Sequence, residues 1–335
     1  MIWLTRIGIV VGVSVLVYLG IALGLILSQR ATGAEMAGQG SGGGLDFSAI
    51  RGGESPERAL ERESYAGAGG TQLPVTVAGR DPSGAKPVLV MVHGSGWDGT
   101  QFDRLAARLA DVAEVRVPTL RGHGKNPERR GDVDYIGQME DDLAALLRDV
   151  EDGRPVVMLG HSSGGGLVVR FAGGAHGAMI DRAVLLAPFL QYDAPTTREN
   201  SGGWARPLTR RIIGLSMLNT IGIHALDHLT AMRFAMPREV LDGPEGDRAT
   251  TAYSWRLNQG YAPRRDWRGD VAALPPFLLV AGTGDEAFRP DAYEPAMSEV
   301  TDTGRYLLVE GVGHLGIVNA PETEQAIREV LNDLG

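Results

Sequence analysis

The stretch that decides the fold runs from residue 156 to residue 172 and is written VVMLGHSSGGGLVVRFA. The apolar run VVML leads into a G-x-S-x-G pattern at residues 160–164, and the helix-like run LVVRFA follows. A tight turn from a strand into a helix needs small residues around its serine because neighbouring segments approach closely. Such a turn lifts the serine hydroxyl above the sheet. The context therefore predicts that Ser162 is a nucleophile, whereas the pattern alone would fit any glycine-rich turn.

Similar apolar runs recur along the chain beyond residue 70. They predict buried strands at Val88–Val92, Val115–Val117, Val156–Leu159, Ala183–Leu186, Phe277–Val280 and Tyr306–Val309. Helical patterns separate these runs, as at Phe102–Leu109, Met139–Val150 and Leu167–Ala172. The alternation predicts an α/β fold, with a mainly parallel, doubly wound sheet between helices.

The stretch from about residue 191 to residue 267 interrupts this alternation. It contains Trp204, Trp255 and Trp267, together with helical patterns at Pro207–Leu218 and Thr220–Phe234. Ligands bind beyond the carboxyl ends of the strands in sheets of this type. We therefore expect a helical cap insertion above those strand ends.

A serine hydroxyl is a weak nucleophile and requires a base beside it. Of the seven histidines, His314 is the best candidate, because it lies in a loop just after the apolar run YLLV. The side chain of His161 is expected to point away from the serine through the turn. His93 is expected to brace the loop that follows it, and His123 to have a structural role.

The base requires an acid that fixes its tautomer, and Asp285 is the candidate. It ends the sequence GTGD at residues 282–285, immediately after the run FLLV. The chain order Ser162, Asp285, His314 is the order found in folds that place a nucleophile on a strand-to-helix turn of this kind. Glu286 is adjacent and remains the alternative.

An oxyanion formed from the substrate requires backbone donors. The amide of Ser163, the residue after the nucleophile, is the first expected donor. The second is expected from the loop at residues 93–97, which follows the first strongly apolar strand. Within that loop we expect the amide of Ser95, with Gly96 as the alternative.

The amino-terminal run Ile7–Leu27 contains no charged residue. Its length corresponds to about 30 Å of helix, enough to cross the hydrocarbon core of a bilayer. We therefore expect an uncleaved single-pass anchor. The alternatives are a signal peptide cleaved near residues 32–34 and a buried core helix. Arg6 before the run and Arg30 after it slightly favour a periplasmic or otherwise extracytoplasmic catalytic domain.

The expected organisation has three parts. Residues 1–30 form the anchor or signal peptide, residues 31–63 a flexible linker rich in Gly, Ala and Ser, and residues 64–335 the catalytic domain with its cap. The net charge of -9 argues against a nucleic-acid partner. The absence of cysteine excludes disulfides, thiolate catalysis and cysteine-bound zinc. No metal or other cofactor is expected.

From about residue 70 onward the chain resembles the α/β-hydrolase superfamily. Within it, the chain is similar to the monoacylglycerol lipase and lysophospholipase-like branch, also described as serine aminopeptidase S33-like. The supporting motifs are His93-Gly94, LRGHGK at residues 120–125, GHSSGG at 160–165, GTGD at 282–285 and Gly313-His314. The resemblance implies a cap over the active site, an acyl-enzyme mechanism and no cofactor.

We therefore expect a serine hydrolase that cleaves carboxylic esters through an acyl-enzyme. The apolar cap and the anchor favour a lipophilic monoacyl ester, such as a monoacylglycerol or a lysophospholipid. A peptidase or amidase and an acyltransferase remain alternatives, because one fold serves many substrates. A non-catalytic binding module is a further alternative, which the complete set of candidate catalytic residues disfavours.

Overall fold

An eight-stranded sheet forms the centre of the molecule, for which the computed structural model describes residues 2–29, 44–49, 60–150 and 153–334. In spatial order, and numbered along the chain, its strands are β1 (Glu61–Ala66), β2 (Gln72–Ala78), β4 (Glu114–Pro118), β3 (Val88–Val92), β5 (Val156–His161), β6 (Arg182–Leu186), β10 (Phe277–Gly282) and β11 (Gly304–Val309). Strand β2 is antiparallel to both of its neighbours, and all other adjacent pairs are parallel. The predicted α/β fold with a mainly parallel sheet is confirmed.

Helices precede, separate and follow these strands along the chain. They are α1 (Ile2–Ser28), α2 (Asp103–Leu109), α3 (Gln138–Asp149), α4 (Ser163–Ala172), α5 (Thr209–Thr220), α6 (Arg238–Leu241), α7 (Trp255–Tyr261), α8 (Trp267–Ala272), α9 (Tyr293–Met297) and α10 (Pro321–Asn332). Helices α2 and α10 pack on one face of the central sheet, and α3, α4 and α8 pack on the other.

Strand β3 shows why the sheet is buried on both faces. All five of its residues are buried. Val88, Val90 and Val92 join the hydrophobic core on the face of α3 and α4, while Leu89 and Met91 join the core on the face of α2 and α10. Side chains alternate between the two faces of a strand, so a continuous apolar run is what a doubly covered strand requires.

The cap is not purely helical, which corrects the sequence prediction. It contains a second, three-stranded antiparallel sheet formed by β7 (Ala205–Pro207), β8 (Thr230–Phe234) and β9 (Ala252–Ser254). The helix predicted at Pro207–Leu218 corresponds to α5. The helix predicted at Thr220–Phe234 is wrong, because the last third of that stretch, Thr230–Phe234, pairs with its neighbours as β8.

A glycine explains where the cap helix ends. Gly222 adopts a left-handed φ of 78° just beyond α5. Its amide donates to the carbonyl of Asn219, and the amide of Ile223 donates to that of Leu218. This pair of hydrogen bonds is a Schellman motif, which terminates a helix and favours glycine at the left-handed position.

Helix α1 is long and apolar enough to cross a membrane, by length and composition. The most apolar stretch of Trp3–Ser28 has a mean hydropathy of 2.7, and only 11% of it is buried. Its second half packs on α5 in the opposite direction. The Tyr18 hydroxyl donates to the carbonyl of Met217 (2.9 Å), and the Arg210 amide donates to the side-chain oxygen of Gln29 (2.9 Å).

Two parts of the segment predicted as a flexible linker belong to the folded domain. Glu61–Glu63 lie in β1 and pair with β2. Leu45 and Phe47 are buried in the main hydrophobic core. The sequence around these two residues is rich in glycine, which favours a linker. Leu45 and Phe47 are nevertheless buried, because both are large and apolar.

Candidate active site

The turn after β5 holds Ser162 in a strained backbone conformation. Its φ and ψ are 56° and -121°, and its amide donates to the carbonyl of Leu186 at 2.9 Å. A Cβ atom added to Gly160 would lie 2.3 Å from the Gly164 carbonyl oxygen, and one added to Gly164 would lie 2.2 Å from that of Val92. Only glycine fits at either position. The turn therefore requires the pattern from which the nucleophile was predicted.

The candidate base and the candidate acid lie at the ends of the last two sheet strands. His314 follows β11 and Asp285 follows β10, and the imidazole Nδ1 is 2.8 Å from the carboxylate Oδ2. The other carboxylate oxygen accepts hydrogen bonds from the amides of Ala287 (2.8 Å) and Phe288 (2.7 Å). Because the carboxylate accepts, Nδ1 carries the proton and Nε2 is left as the acceptor.

Two opposing effects act on the carboxyl group of Asp285, which is buried. Burial raises its pKa, but the charge and hydrogen bond of His314, together with two backbone amides, outweigh burial. The pKa of Asp285 is therefore held below its ordinary value. Its carboxylate stays ionised at neutral pH, as required to stabilise an imidazolium.

The neighbouring carboxylate of Glu286 has a different partner. Its Oε2 accepts a hydrogen bond from the backbone amide of His314 at 2.8 Å. Glu286 therefore contacts the main chain of the candidate base, whereas Asp285 contacts its ring. This geometry favours Asp285 over Glu286 as the acid.

Ser162 and His314 line one small cavity of about 20 Å³, which we call the serine cavity and which has room for about one water molecule. Its lining consists of Leu45, Phe47, Gly94, Ser95, Trp97, Gln101, His161, Ser162, Trp204, Met236, His314 and Leu315. A Cβ atom on Gly94 would lie 3.4 Å from that of Ser162, so the loop after β3 lies directly beside the candidate nucleophile.

The backbone amides of Ser95 and Ser163, the expected oxyanion donors, differ from that of Gly96, the alternative, in whether they already have a hydrogen-bond acceptor. Among the residues that the structure describes, no acceptor pairs with the backbone amide of Ser95 or of Ser163. The Gly96 amide donates to the hydroxyl of Tyr253 at 2.8 Å and is already used. Ser163 is also the first residue of α4, where the helix dipole favours negative charge. Both observations favour Ser95 and Ser163.

Comparison with known proteins agrees with this geometry. The model of the alpha/beta hydrolase family matches residues 89–329, which extend from β3 into α10 and include all three candidate catalytic residues. The chain belongs to the α/β hydrolase family. The resemblance stated from the motifs is confirmed, since lipases and a monoacylglycerol lipase are among the relatives of this hydrolase.

Individual relatives of the hydrolase are distant or match only in part. Lipase LipV of Mycobacterium tuberculosis is 36% identical over 118 residues, 35% of this chain and 43% of its own length. The chain spans 30% to 56% of the length of the curated relatives that it matches.

Two solved structures illustrate the shared fold. A soluble variant of monoglyceride lipase from Saccharomyces cerevisiae has a TM-score of 0.63 at 14% identity, over 84% of this chain and 96% of that one. A membrane phospholipase A has a TM-score of 0.58 at 17% identity, over 99% of this chain and 97% of that one. At this identity the likeness concerns the fold alone.

Two buried histidines of the hydrolase brace the loop that contains Ser95. The Nε2 atom of His93 accepts from the Leu120 amide at 3.1 Å, and its Nδ1 lies 2.9 Å from the carbonyl oxygen of Gly94. His123 contacts the hydroxyl of Tyr253 at 2.7 Å. Burial lowers the pKa of both rings, that of His123 to about 3. The predicted structural roles of His93 and His123 are confirmed.

The prediction for His161 is wrong. Its ring lines the serine cavity and lies 4.7 Å, between ring centroids, from that of His314. The side-chain amide of Gln101 contacts His161 Nδ1 at 2.7 Å, and the Gln101 oxygen accepts from the Gly94 amide at 3.0 Å. No sequence motif marks Gln101, which lies 60 residues from its histidine partner.

Proposed function

We propose that this protein is a membrane-anchored serine hydrolase that cleaves lipophilic monoacyl esters, such as monoacylglycerols or lysophospholipids, through an acyl-enzyme. The observation that carries the proposal is the buried His314, which lies 2.8 Å from the Asp285 carboxylate and lines one cavity with the strained Ser162. Lipases and esterases among the relatives support ester hydrolysis.

In the first half-reaction the Ser162 hydroxyl attacks the ester carbonyl carbon. His314 Nε2 accepts the hydroxyl proton, and Asp285 stabilises the imidazolium through Nδ1. The amides of Ser95 and Ser163 stabilise the oxyanion. Collapse of the tetrahedral intermediate breaks the ester C–O bond, and the leaving alcohol takes the proton from His314.

Water completes the second half-reaction. His314 removes a proton from the water molecule as it attacks the acyl carbon of the Ser162 ester. The same two amides stabilise the second oxyanion. When the bond to serine breaks, His314 returns the proton to the Ser162 hydroxyl, and a carboxylic acid is released.

The walls of the serine cavity support a lipophilic acyl group. Trp97, Trp204, Met236 and Leu315 contribute apolar surface. Apart from two histidines, none of the described lining residues is a basic or acidic side chain. Such a lining favours an uncharged hydrocarbon chain over a peptide with charged termini.

Helix α1 supports the anchor. An apolar helix in the core of a soluble protein would be mostly buried, whereas most of α1 is exposed. The anchor is tested by separating membranes from soluble protein and measuring the mass of the full-length chain. Recovery of the intact chain in the soluble fraction, or of a chain cleaved near residues 32–34, would contradict it.

The mechanism is tested with the full-length chain, a Ser162→Ala variant and a Ser64→Ala control, whose side chain is exposed on β1. Release of fatty acid from short-, medium- and long-chain monoacyl esters should be lost only in Ser162→Ala. Wild-type turnover by that variant would make the mechanism wrong. Labelling of Ser162 by a fluorophosphonate without ester hydrolysis would instead indicate an amidase or peptidase.

Two further results would identify the remaining alternatives. Transfer of the acyl group to an added alcohol, in preference to water, would indicate an acyltransferase. Failure of folded wild-type protein to react with the fluorophosphonate would indicate a non-catalytic binding module.

A further inference from the structure

Two side chains from the segment ahead of β1 form part of the wall of the serine cavity. Leu45 is 7% exposed and Phe47 is 6% exposed, and both belong to the lining that includes Ser162 and His314. The ring of Phe47 packs on the indole of Trp204, with 5.5 Å between ring centroids. Burial of two large apolar side chains stabilises their position, because apolar surface is removed from water.

Hydrogen bonds between Asp46 and Ser48 order the backbone around these two side chains. The Asp46 carboxylate accepts hydrogen bonds from the Ser48 amide at 2.9 Å and from the Ser48 hydroxyl at 2.5 Å. Asp46 and Ser48 are exposed while Leu45 and Phe47 are buried, so alternate residues face opposite sides. The segment enters beside Glu286, since a Cβ on Gly44 would lie 3.9 Å from that of Glu286.

The space that remains is too small for an acyl chain. The cavity has room for about one water molecule, whereas pockets that hold ligands of drug size measure about 300–1,000 Å³. The walls that contact Phe47 are themselves apolar, as a hydrocarbon chain would require. A long acyl chain and the side chains of Leu45 and Phe47 therefore cannot occupy this space together.

We propose that the apolar space beside Ser162 is a subsite for an acyl chain, and that Leu45 and Phe47 are its resident occupants. The segment competes with substrate, and an apolar acyl chain must displace it before Ser162 can react. This inference deepens the proposed function and rests on it. Because the competitor belongs to the same chain, its effective concentration does not fall on dilution of the protein.

The test uses the full-length protein and a Leu45→Ala/Phe47→Ala double variant. The control is Tyr135→Ala/Ile136→Ala, which removes an exposed aromatic–aliphatic pair that does not line the serine cavity. The rate constant for labelling of Ser162 by a long-alkyl fluorophosphonate is measured, together with kcat/KM for long-chain monoacyl esters. A gain in either quantity cannot arise from unfolding.

The labelling rate constant and kcat/KM should both rise about tenfold or more in the Leu45/Phe47 variant, because a larger fraction of molecules is open. The control should match wild type. Unchanged labelling would overturn the inference, and slower labelling would also overturn it by making the segment part of the substrate site. Faster labelling without ester hydrolysis by any of the proteins would retain the inference about the occupant and overturn the proposed ester activity.

Discussion

The imidazole Nε2 of His161 donates a hydrogen bond to the backbone carbonyl of His314, at 2.9 Å. The direction follows from Gln101, whose amide oxygen accepts from Gly94 and whose amide nitrogen therefore donates to His161 Nδ1. Hydrogen bonds through Gln101 and His161 thus connect Gly94, in the loop that contains Ser95, to the main chain of His314. We infer that Gln101 and His161 position these two parts of the site relative to each other.

Replacing Gln101 with Ala should lower kcat about tenfold to a hundredfold, because small displacements of a catalytic group carry costs of this size. KM should change much less than kcat, because both ends of the Gln101 side chain are bonded to Gly94 and His161 and act through them. Gln72→Ala, at an exposed position of β2, is the control. Steady-state kinetics on a monoacyl ester measure both constants. A raised KM with unchanged kcat would show that Gln101 binds substrate.

The two adjacent carboxylates should respond differently to conversion into amides. Asp285→Asn should lower kcat about 10⁴-fold, because the amide cannot fix the same imidazole tautomer. Glu286→Gln should stay within about threefold of wild type, since its amide oxygen still accepts from the His314 backbone. The measurement is kcat on one ester for both variants. Equal losses would mean that the assignment of the acid is wrong.

Stability should fall as the pH drops below about 6.5. Burial lowers the pKa of His93, and lowers those of His123 and His161 to about 3. Between these values and the unfolded pKa of about 6.5, the unfolded chain binds more protons than the folded chain. Well below pH 6.5, His123 and His161 therefore each remove roughly 1 kcal/mol of unfolding free energy per pH unit, and His93 acts in the same direction.

Chemical denaturation of the full-length protein between pH 5 and pH 7 measures this slope. The variant His123→Gln should reduce the slope by the contribution of one histidine, because one depressed titration is lost. A free energy of unfolding that stays constant across this range would contradict the neutral state of the three buried rings.

Gly214 of α5 packs closely on α1, whereas Gly20 of α1 faces open space, so alanine substitutions at these two positions form a matched pair. A Cβ on Gly214 would lie 2.5 Å from the Ala22 carbonyl oxygen, whereas one on Gly20 has no atom within 4 Å. Both lie in helices, where Gly→Ala gains about 1 kcal/mol from propensity. Gly214→Ala should nevertheless lower Tm in detergent, while Gly20→Ala should not. Equal Tm values would mean that α1 does not pack on α5 as described.

Local sequence signals were sufficient for the parallel strands of the sheet and for the candidate residues at their ends, but not for β1 and β2. The apolar runs at β3, β5 and β10 predict buried strands because both faces are covered. Ser162 and Asp285 each follow such a run. His314 follows the edge strand β11, where the prediction of a buried strand at Tyr306–Val309 is wrong because only Val309 of these residues is buried. The approach of the three residues to one another follows from a parallel sheet. These signals lie within a few residues of the features that they predict.

The features that were missed depend on contacts distant in the chain. The direction of the His161 side chain is set by Gln101 and His314, neither of which the turn itself specifies. The sequence around Leu45 and Phe47 is rich in glycine and favours a linker. Their burial depends on contacts with the distant residues that line the serine cavity. The end of α5, by contrast, has a local signal in the sequence, because glycine just past a helix favours its termination, as Gly222 does here.

The packing of α1 on α5 bears on how the enzyme encounters its substrate. Between Tyr18 and Gln29 the two helices run together for about 16 Å, at 1.5 Å per residue. If α1 inserts into a bilayer as proposed, the part of α1 that contacts α5 belongs to the inserted helix, so the cap reaches into the lipid interface and cannot diffuse away from it. Substrate then arrives by lateral diffusion within a leaflet. Turnover should consequently follow the mole fraction of ester in the bilayer, and diluting the vesicles at fixed composition should leave the rate per enzyme unchanged.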